Sequence, residues 1–322
     1  MEVLAHPDPF VLENALLERI SAAQSGDPFA PVLVVVPSTR LAEHVERRIA
    51  ERHGARLNVS VLHYHALISR ILAAEATRPY RTLSRRLREA MLEAVLEAHP
   101  EEPWSRFARQ RPGALDGLME AVKDLREAGL TAAQVGETLR EGERESSLAR
   151  IYSAYVETLD RVLEEHGLAD NTLRAREAAA GAERFASGFR AVIHHGAYEL
   201  IGRNLELLRA LDRGTTVTFL LPAEPGAPAS RYAERFARRF LLEPDGELGR
   251  VANAEGGLIG SRLVALYDEA AEPEPVDPAR VAFRNAQGDR AEIAIATRRA
   301  LGALDDDTPP WESAIVARSL SP

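Results

Sequence analysis

Lysine occurs once in the 322 residues, at position 123, and arginine carries the remaining positive charge. Nucleotide phosphates are usually held by the pattern G-x-x-x-x-G-K-[ST]. Its glycines let the backbone approach, and its lysine reaches the terminal phosphates. Lys123 lies in Leu118-Met119-Glu120-Ala121-Val122-Lys123-Asp124, where Gly117 has the wrong spacing and the surroundings read as helix. The first 25 residues, where such a loop would fall, contain no glycine. Phosphate-cradling chemistry is therefore missing from its expected place, and no cofactor is expected.

Other residues are placed to bind rather than to react. Ser38, Thr39 and Arg40 follow an apolar run and open a helical pattern. Hydroxyls, free amides and a guanidinium at a helix N-terminus suit a nucleic-acid phosphate; a plain cap with a solvated arginine is the alternative. His63, Tyr64 and His65 repeat the arrangement at the next strand end, where a ring could stack on a base or pack as an aromatic turn. His194 and His195 have no third ligand spaced for metal. Between Arg78 and Arg111, eight arginines face five glutamates, a local +3 that includes Arg81, Arg85, Arg86 and the aromatic-basic run Trp104 to Arg111. That asymmetry marks a nucleic-acid face or an ordinary solvated helical surface. Tyr232, Phe236 and Phe240 recur at helical spacing and read as core.

The whole chain carries a net charge of −9, with 45% hydrophobic and 28% charged residues. A protein that coats nucleic acid uniformly is disfavoured, while a local basic channel is compatible. Cysteine is absent, which excludes disulfides and thiolate metal sites and fits a cytoplasmic setting. The N-terminus lacks the basic region of a signal peptide. No apolar run approaches the ~20 residues that span a bilayer.

These residues need a scaffold, and the hydrophobic pattern describes one. After a stub at Val3 to Ala5, Asp8 caps a helix over Pro9 to Ala23. Val32 to Val36 reads as a strand buried on both faces. Ser38 or Thr39 caps a helix to Arg52, ended by Gly54; Leu57 to Leu62 is a second strand and His65 to Ala74 a second helix. Such an order predicts an α/β fold with a parallel sheet. Helices are then expected over Ser84 to Ala98, Ala114 to Ala128, Ala132 to Leu139, Ser146 to His166 and Asn171 to Ala180, with no strand between them. Strands return at Ala191 to His194 and Thr215 to Leu221, around a helix from Asn204 to Leu211. The stretch Ala229 to Asp268 reads as mostly helical, and Asp268 to Pro275 as an acidic linker. Val281 to Arg284 and Ser313 to Ala317 read as strands around a helix from Arg290 to Leu304.

The expected domains are 1–82 with 181–225, a helical insertion at 83–180, a helical segment and linker at 226–275, and the start of a second α/β domain at 276–322. A unit that stops on its second strand leads us to expect the N-terminal part of something longer.

Taken in order, these segments resemble a known family. Val35-Val36-Pro37-Ser38-Thr39-Arg40 through Ile49 resembles motif Ia of superfamily 1 helicases. Val59 to Ile68, with His63-Tyr64-His65, resembles the motif that follows it. Leu4 to Phe10 occupies the P-loop position without its signature residues. Asp116 to Leu130 and Ile151 to Tyr155 look like the helical insertion of the AddB/RexB-type subunit of bacterial helicase–nucleases. Ala191 to Leu211 looks like its Walker B region, with His194-His195-Gly196 where the magnesium-binding Asp-Glu pair would stand. Gly288 to Glu292 and Ser313 to Arg318 resemble the start of a second motor domain.

The resemblance implies a P-loop-NTPase-like domain that has lost its motor chemistry. It would hold or scan single-stranded DNA and dock a partner helicase–nuclease subunit, with no membrane. DNA would touch Ser38, Thr39, Arg40, His63, Tyr64, His65, Arg81, Arg85 and Arg86. In that family a PD-(D/E)xK nuclease and an iron–sulfur cluster belong to the far C-terminal part. Pro244-Asp245-Gly246-Glu247 matches the nuclease motif in part, but Leu248-Gly249 follows and no lysine is available. No ATPase or nuclease activity is expected of this chain by itself. A working helicase and a protein-binding scaffold are the rival readings.

Overall fold

A run of five apolar, mostly β-branched residues leaves no face for water, so it must be covered on both sides. In the computed structural model the opening elements are β1 (Glu2–Ala5), α1 (Pro9–Ala23), β2 (Val32–Val36), α2 (Thr39–His53), β3 (Val59–His63) and α3 (Tyr64–Ala74). All five residues of β2 are buried. Val32, Val34 and Val36 pack with the apolar faces of α1 and α2, while Leu33 and Val35 face the other layer. The structure describes residues 1–54, 57–75, 81–111, 113–197, 200, 202–251, 286, 288–305, 308 and 315. The chain divides into two compact units, Met1–Ala271 and Glu272–Pro322.

The chain then leaves the sheet. It forms β4 (Arg81–Thr82), α4 (Arg85–Ala98), α5 (Pro103–Gln110), α6 (Ala114–Glu127), α7 (Ala132–Thr138), α8 (Glu143–His166) and β5 (Leu168–Ala169). These helices close over a core of their own, which includes Leu92, Val122, Tyr152 and Leu159. The sheet resumes through α9 (Asn171–Ala186), β6 (Ala191–His195), α10 (Gly202–Gly214), β7 (Val217–Leu221), a 3₁₀ turn at Pro228–Ser230, α11 (Arg231–Phe240) and β8 (Gly249–Arg250). The sheet order is β3-β2-β6-β7-β1-β8, and every pairing is parallel. The fold is thus α/β with a parallel sheet, and the strands after residue 190 rejoin those before residue 64. Val36 pairs with His63 and Val35 with His194, so the ends of β2, β3 and β6 lie along one edge.

Several expectations shift. The second strand starts at Val59, not Leu57, because Asn58 takes a left-handed conformation (φ 56°) and its amide donates to the Phe29 carbonyl at 2.7 Å. The helix from Asn171 continues to Ala186, past Ala180. Gly181 does not break it: a Cβ there would lie 2.6 Å from Glu75 Cγ, so the glycine admits a neighbour. Ala175, Ala178, Ala182 and Ala186 belong to the sheet-side core. The helix α5 and the ladder between β4 and β5, where Arg81 pairs with Leu168, were not foreseen. Elements of two residues leave no periodic trace. After Phe240 the chain is not helical up to Val251, and it supplies the edge strand β8 instead. The rest of the segment expected as helical to Asp268, the linker, and the strands at 281–284 and 313–317 (Ile315 apart) lie outside the described residues. In the second unit α12 (Asp289–Asp305) covers the expected helix. No helix among the described residues is long and apolar enough to cross a membrane.

Candidate functional site

The carboxyl edge of the sheet has a sealed part and an open part. The sealed part begins at β1. The Asp8 carboxylate accepts from the Phe10 amide at 2.9 Å, and the Asp8 amide donates to His6 Nδ1 at 3.0 Å. Pro9, next in line, has no N–H. Asp8 is 1% exposed. The N-terminus of α1 is therefore filled by its own carboxylate.

At the end of β6, His194 and His195 are buried. The His194 ring stacks on Phe219 with centroids 4.5 Å apart. Burial pushes His194 down to about 3 and His195 down to about 4. Both imidazoles are neutral near pH 7. Beside them Glu13, on the buried face of α1, receives Arg48 Nε at 2.5 Å and His44 Nε2 at 2.6 Å. Burial works to raise the Glu13 pKa, but the hydrogen bonds from Arg48 and His44 outweigh it and hold the carboxyl below its ordinary range. Sequence reading passed over Glu13, although a carboxylate among apolar positions of one helix was a visible signal.

The open part lies after β2 and β3. Ser38 caps α2, accepting from the Leu41 amide at 3.2 Å; Ser38, Thr39 and Arg40 are exposed. His63 is half-buried and caps α3 without a side-chain bond, and His65 is exposed. Tyr64 departs from its expected role. It is 6% exposed and shares a 2.8 Å hydrogen bond with Nε2 of His194. Its ring has no open face for a base and instead ties α3 to β6. Burial raises its phenol well above the ordinary value.

A cleft of about 200 Å³ opens here, lined by Pro37, Tyr64 and His65, by Asn171 and Thr172 at the start of α9, and by Arg203 of α10. Glu127 of α6 also reaches it. The close approach of α10 and α6 demands glycine: at Gly202 (φ +54°) a Cβ would sit 1.8 Å from the Glu127 carbonyl oxygen.

Of the basic residues, Arg81 is exposed in β4, and Arg85 and Arg86 are exposed on the first turn of α4. Arg85 lines a second cavity that shares Glu127, Asn171 and Thr172 with the cleft. The tertiary structure thus sets the sheet-edge turns and the start of the arginine cluster side by side. Trp104, Arg106 and Phe107 line a separate groove of about 280 Å³. Arg78 and Tyr80, with Tyr198 and Glu199, lie outside the described residues. No family model matches the chain, and no curated protein is significantly similar to it.

Proposed function

We propose that this chain is a non-motor, DNA-holding region of a helicase-like subunit that processes broken DNA ends beside a partner helicase–nuclease subunit. One observation carries the reading. The open cleft at the ends of β2 and β3 and the Arg85 cavity meet at Glu127, Asn171 and Thr172, so exposed turns and basic side chains flank one path. Phosphates of a single strand would contact Ser38, Thr39, Arg40, Arg81, Arg85 and Arg86, with bases against His63 and His65. The path supports binding without base-specific readout.

The sealed part of the edge argues against a motor. A nucleotide phosphate brought to α1 would meet the Asp8 carboxylate and the missing donor of Pro9, where a phosphate site needs free amides and positive charge. Neutral imidazoles at the end of β6 also replace the carboxylates that hold magnesium in such machines.

The test is titration of a labelled single-stranded oligonucleotide at several salt concentrations, with ATP turnover measured in the same mixtures. Saturable binding that weakens with salt, weakens further in Arg40→Glu, and brings no ATP turnover is the expected result. DNA-stimulated turnover would restore the motor reading. A second reading, a protein-binding scaffold, is favoured by Phe29 and Leu57, which are 59% and 56% exposed and linked through Asn58. Failure to bind DNA even at low salt would favour it.

A further inference from the structure

The helical layer borders the partly open cavity that Arg85 lines, and the chain's single lysine lines it too. The cavity measures about 60 Å³. A cavity of about 10–15 Å³ on this measure holds one water, so there is room for a few waters or one tetrahedral oxyanion. Arg85 and Arg88 of α4 and Lys123 and Arg126 of α6 supply the cations, and Asn171 and Thr172 supply the first turn of α9. Glu120, Glu127 and Asp170 also face it.

The cations are not equally committed. Arg126 is held by Asp170 at 2.7 Å and Asp160 at 3.3 Å. Arg85 reaches Glu89 at 2.6 Å and Asp116 at 2.9 Å. Lys123 gives one donor to Glu120 at 2.9 Å, and an ammonium has three. Arg88 Nε is cut off from solvent and has no hydrogen-bond partner, a state that costs free energy unless an acceptor arrives. Asp170 caps only the Leu173 amide, at 2.7 Å. The amides of Asn171 and Thr172, in the first turn of α9, have no intrahelical acceptor.

We propose that this cavity binds one phosphate group, with Arg88 and Lys123 as its charged donors and the first amides of α9 completing the cradle. Arg126 acts on the site indirectly, by holding Asp170 and thereby the start of α9. An arginine fork and a lysine point charge beside a helix N-terminus form a phosphate-binding set. The anion is inorganic phosphate or the terminal phosphate of a nucleic-acid strand. The site does not depend on DNA lying in the neighbouring cleft.

Inorganic phosphate is the first probe, titrated into the full chain by calorimetry and by phosphorus NMR. Wild type should bind it saturably in the millimolar range or tighter. Lys123→Gln should weaken it about tenfold or more, because one charge-assisted contact is lost. Lys123 is 43% exposed and bonds only within α6, so this variant keeps the fold even if Arg88→Gln does not. Arg106→Gln, in the separate groove, should bind as wild type does.

A second arm compares 5′-phosphorylated with 5′-hydroxyl oligonucleotides. A preference for the phosphorylated strand assigns the site to a strand end, and free-phosphate binding without that preference assigns it to the free anion; either upholds the site. No saturable uptake by wild type, or unchanged uptake in Lys123→Gln, overturns it. Phosphate binding without single-strand binding would retain this site and remove the DNA reading.

Discussion

Two helices in this molecule begin with the same chemistry and end in opposite electrostatic surroundings. Asp8 caps α1 and Asp170 caps α9, each carboxylate accepting an amide of the first turn. Around Asp8 the edge is sealed. The carboxylate is buried, its second oxygen has no hydrogen-bond partner, and β6, two strands away from β1 in the sheet, ends in two buried imidazoles. Around Asp170 the carboxylate is matched by Arg126, and Arg85, Arg88 and Lys123 stand close by. The helix dipole attracts an anion at both of these N-termini alike; neighbours from other elements decide whether it can stay. On our proposal, tertiary context disfavours an anion at the start of α1 and favours one at the start of α9.

Acid should expose the sealed part most strongly. His194 and His195 sit at about 3 and about 4 when folded, against about 6.5 in an unfolded chain. Between those values the unfolded chain binds protons that the folded one refuses, so stability falls as pH drops from about 6.5. The loss is on the order of 3 kcal/mol per imidazole by pH 4. Glu13, depressed when folded, adds its loss only below the ordinary 4.5. Urea unfolding at stepped pH checks this, with His195→Gln removing its share of the slope. A flat profile from pH 7 to 4.5 would mean that the sealed part is wet.

The caps themselves should differ. Asp170→Ala removes a cap and leaves the largely buried Arg126 with only its longer contact to Asp160, which costs about 3 kcal/mol. Asp8→Ala removes a cap alone and costs about 1 kcal/mol. Equal losses in thermal unfolding would erase the distinction between the two helix starts.

On the open part, Arg85→Glu combined with Arg86→Glu should reduce single-strand affinity about tenfold for all sequences and flatten the salt dependence. Anisotropy titrations at matched salt decide it, and identical curves would place the strand elsewhere. Tyr64→Phe gives the smallest effect. It should cost about 1 kcal/mol by leaving His194 without its partner, and it should leave DNA affinity unchanged because the ring is not on the surface. A drop in affinity with stability intact would return Tyr64 to the interface.

The pattern of residues was enough to show that Val32 to Val36 is covered on both faces, that Asp8 and the Ser38-Thr39 pair start helices, and that a helical block interrupts a parallel sheet. Each follows from local forces: hydrophobic period, cap chemistry, and the absence of strand-forming runs between Leu83 and Leu168. The lack of a phosphate-loop pattern is likewise a property of the sequence alone, since glycine and lysine can be counted in one dimension. The two-residue ladder of β4 and β5, the edge strand β8 and the inward turn of Tyr64 were not legible there, because each depends on a partner far away in sequence. Tyr64 meets His194 across 130 positions, and no spacing rule connects them. Lys123 shows the limit most clearly. The sequence by itself established that it is the only lysine and that it cannot serve a P-loop. Only the tertiary structure, by folding α4, α6 and the start of α9 around one cavity, placed that lysine beside the site we propose for phosphate.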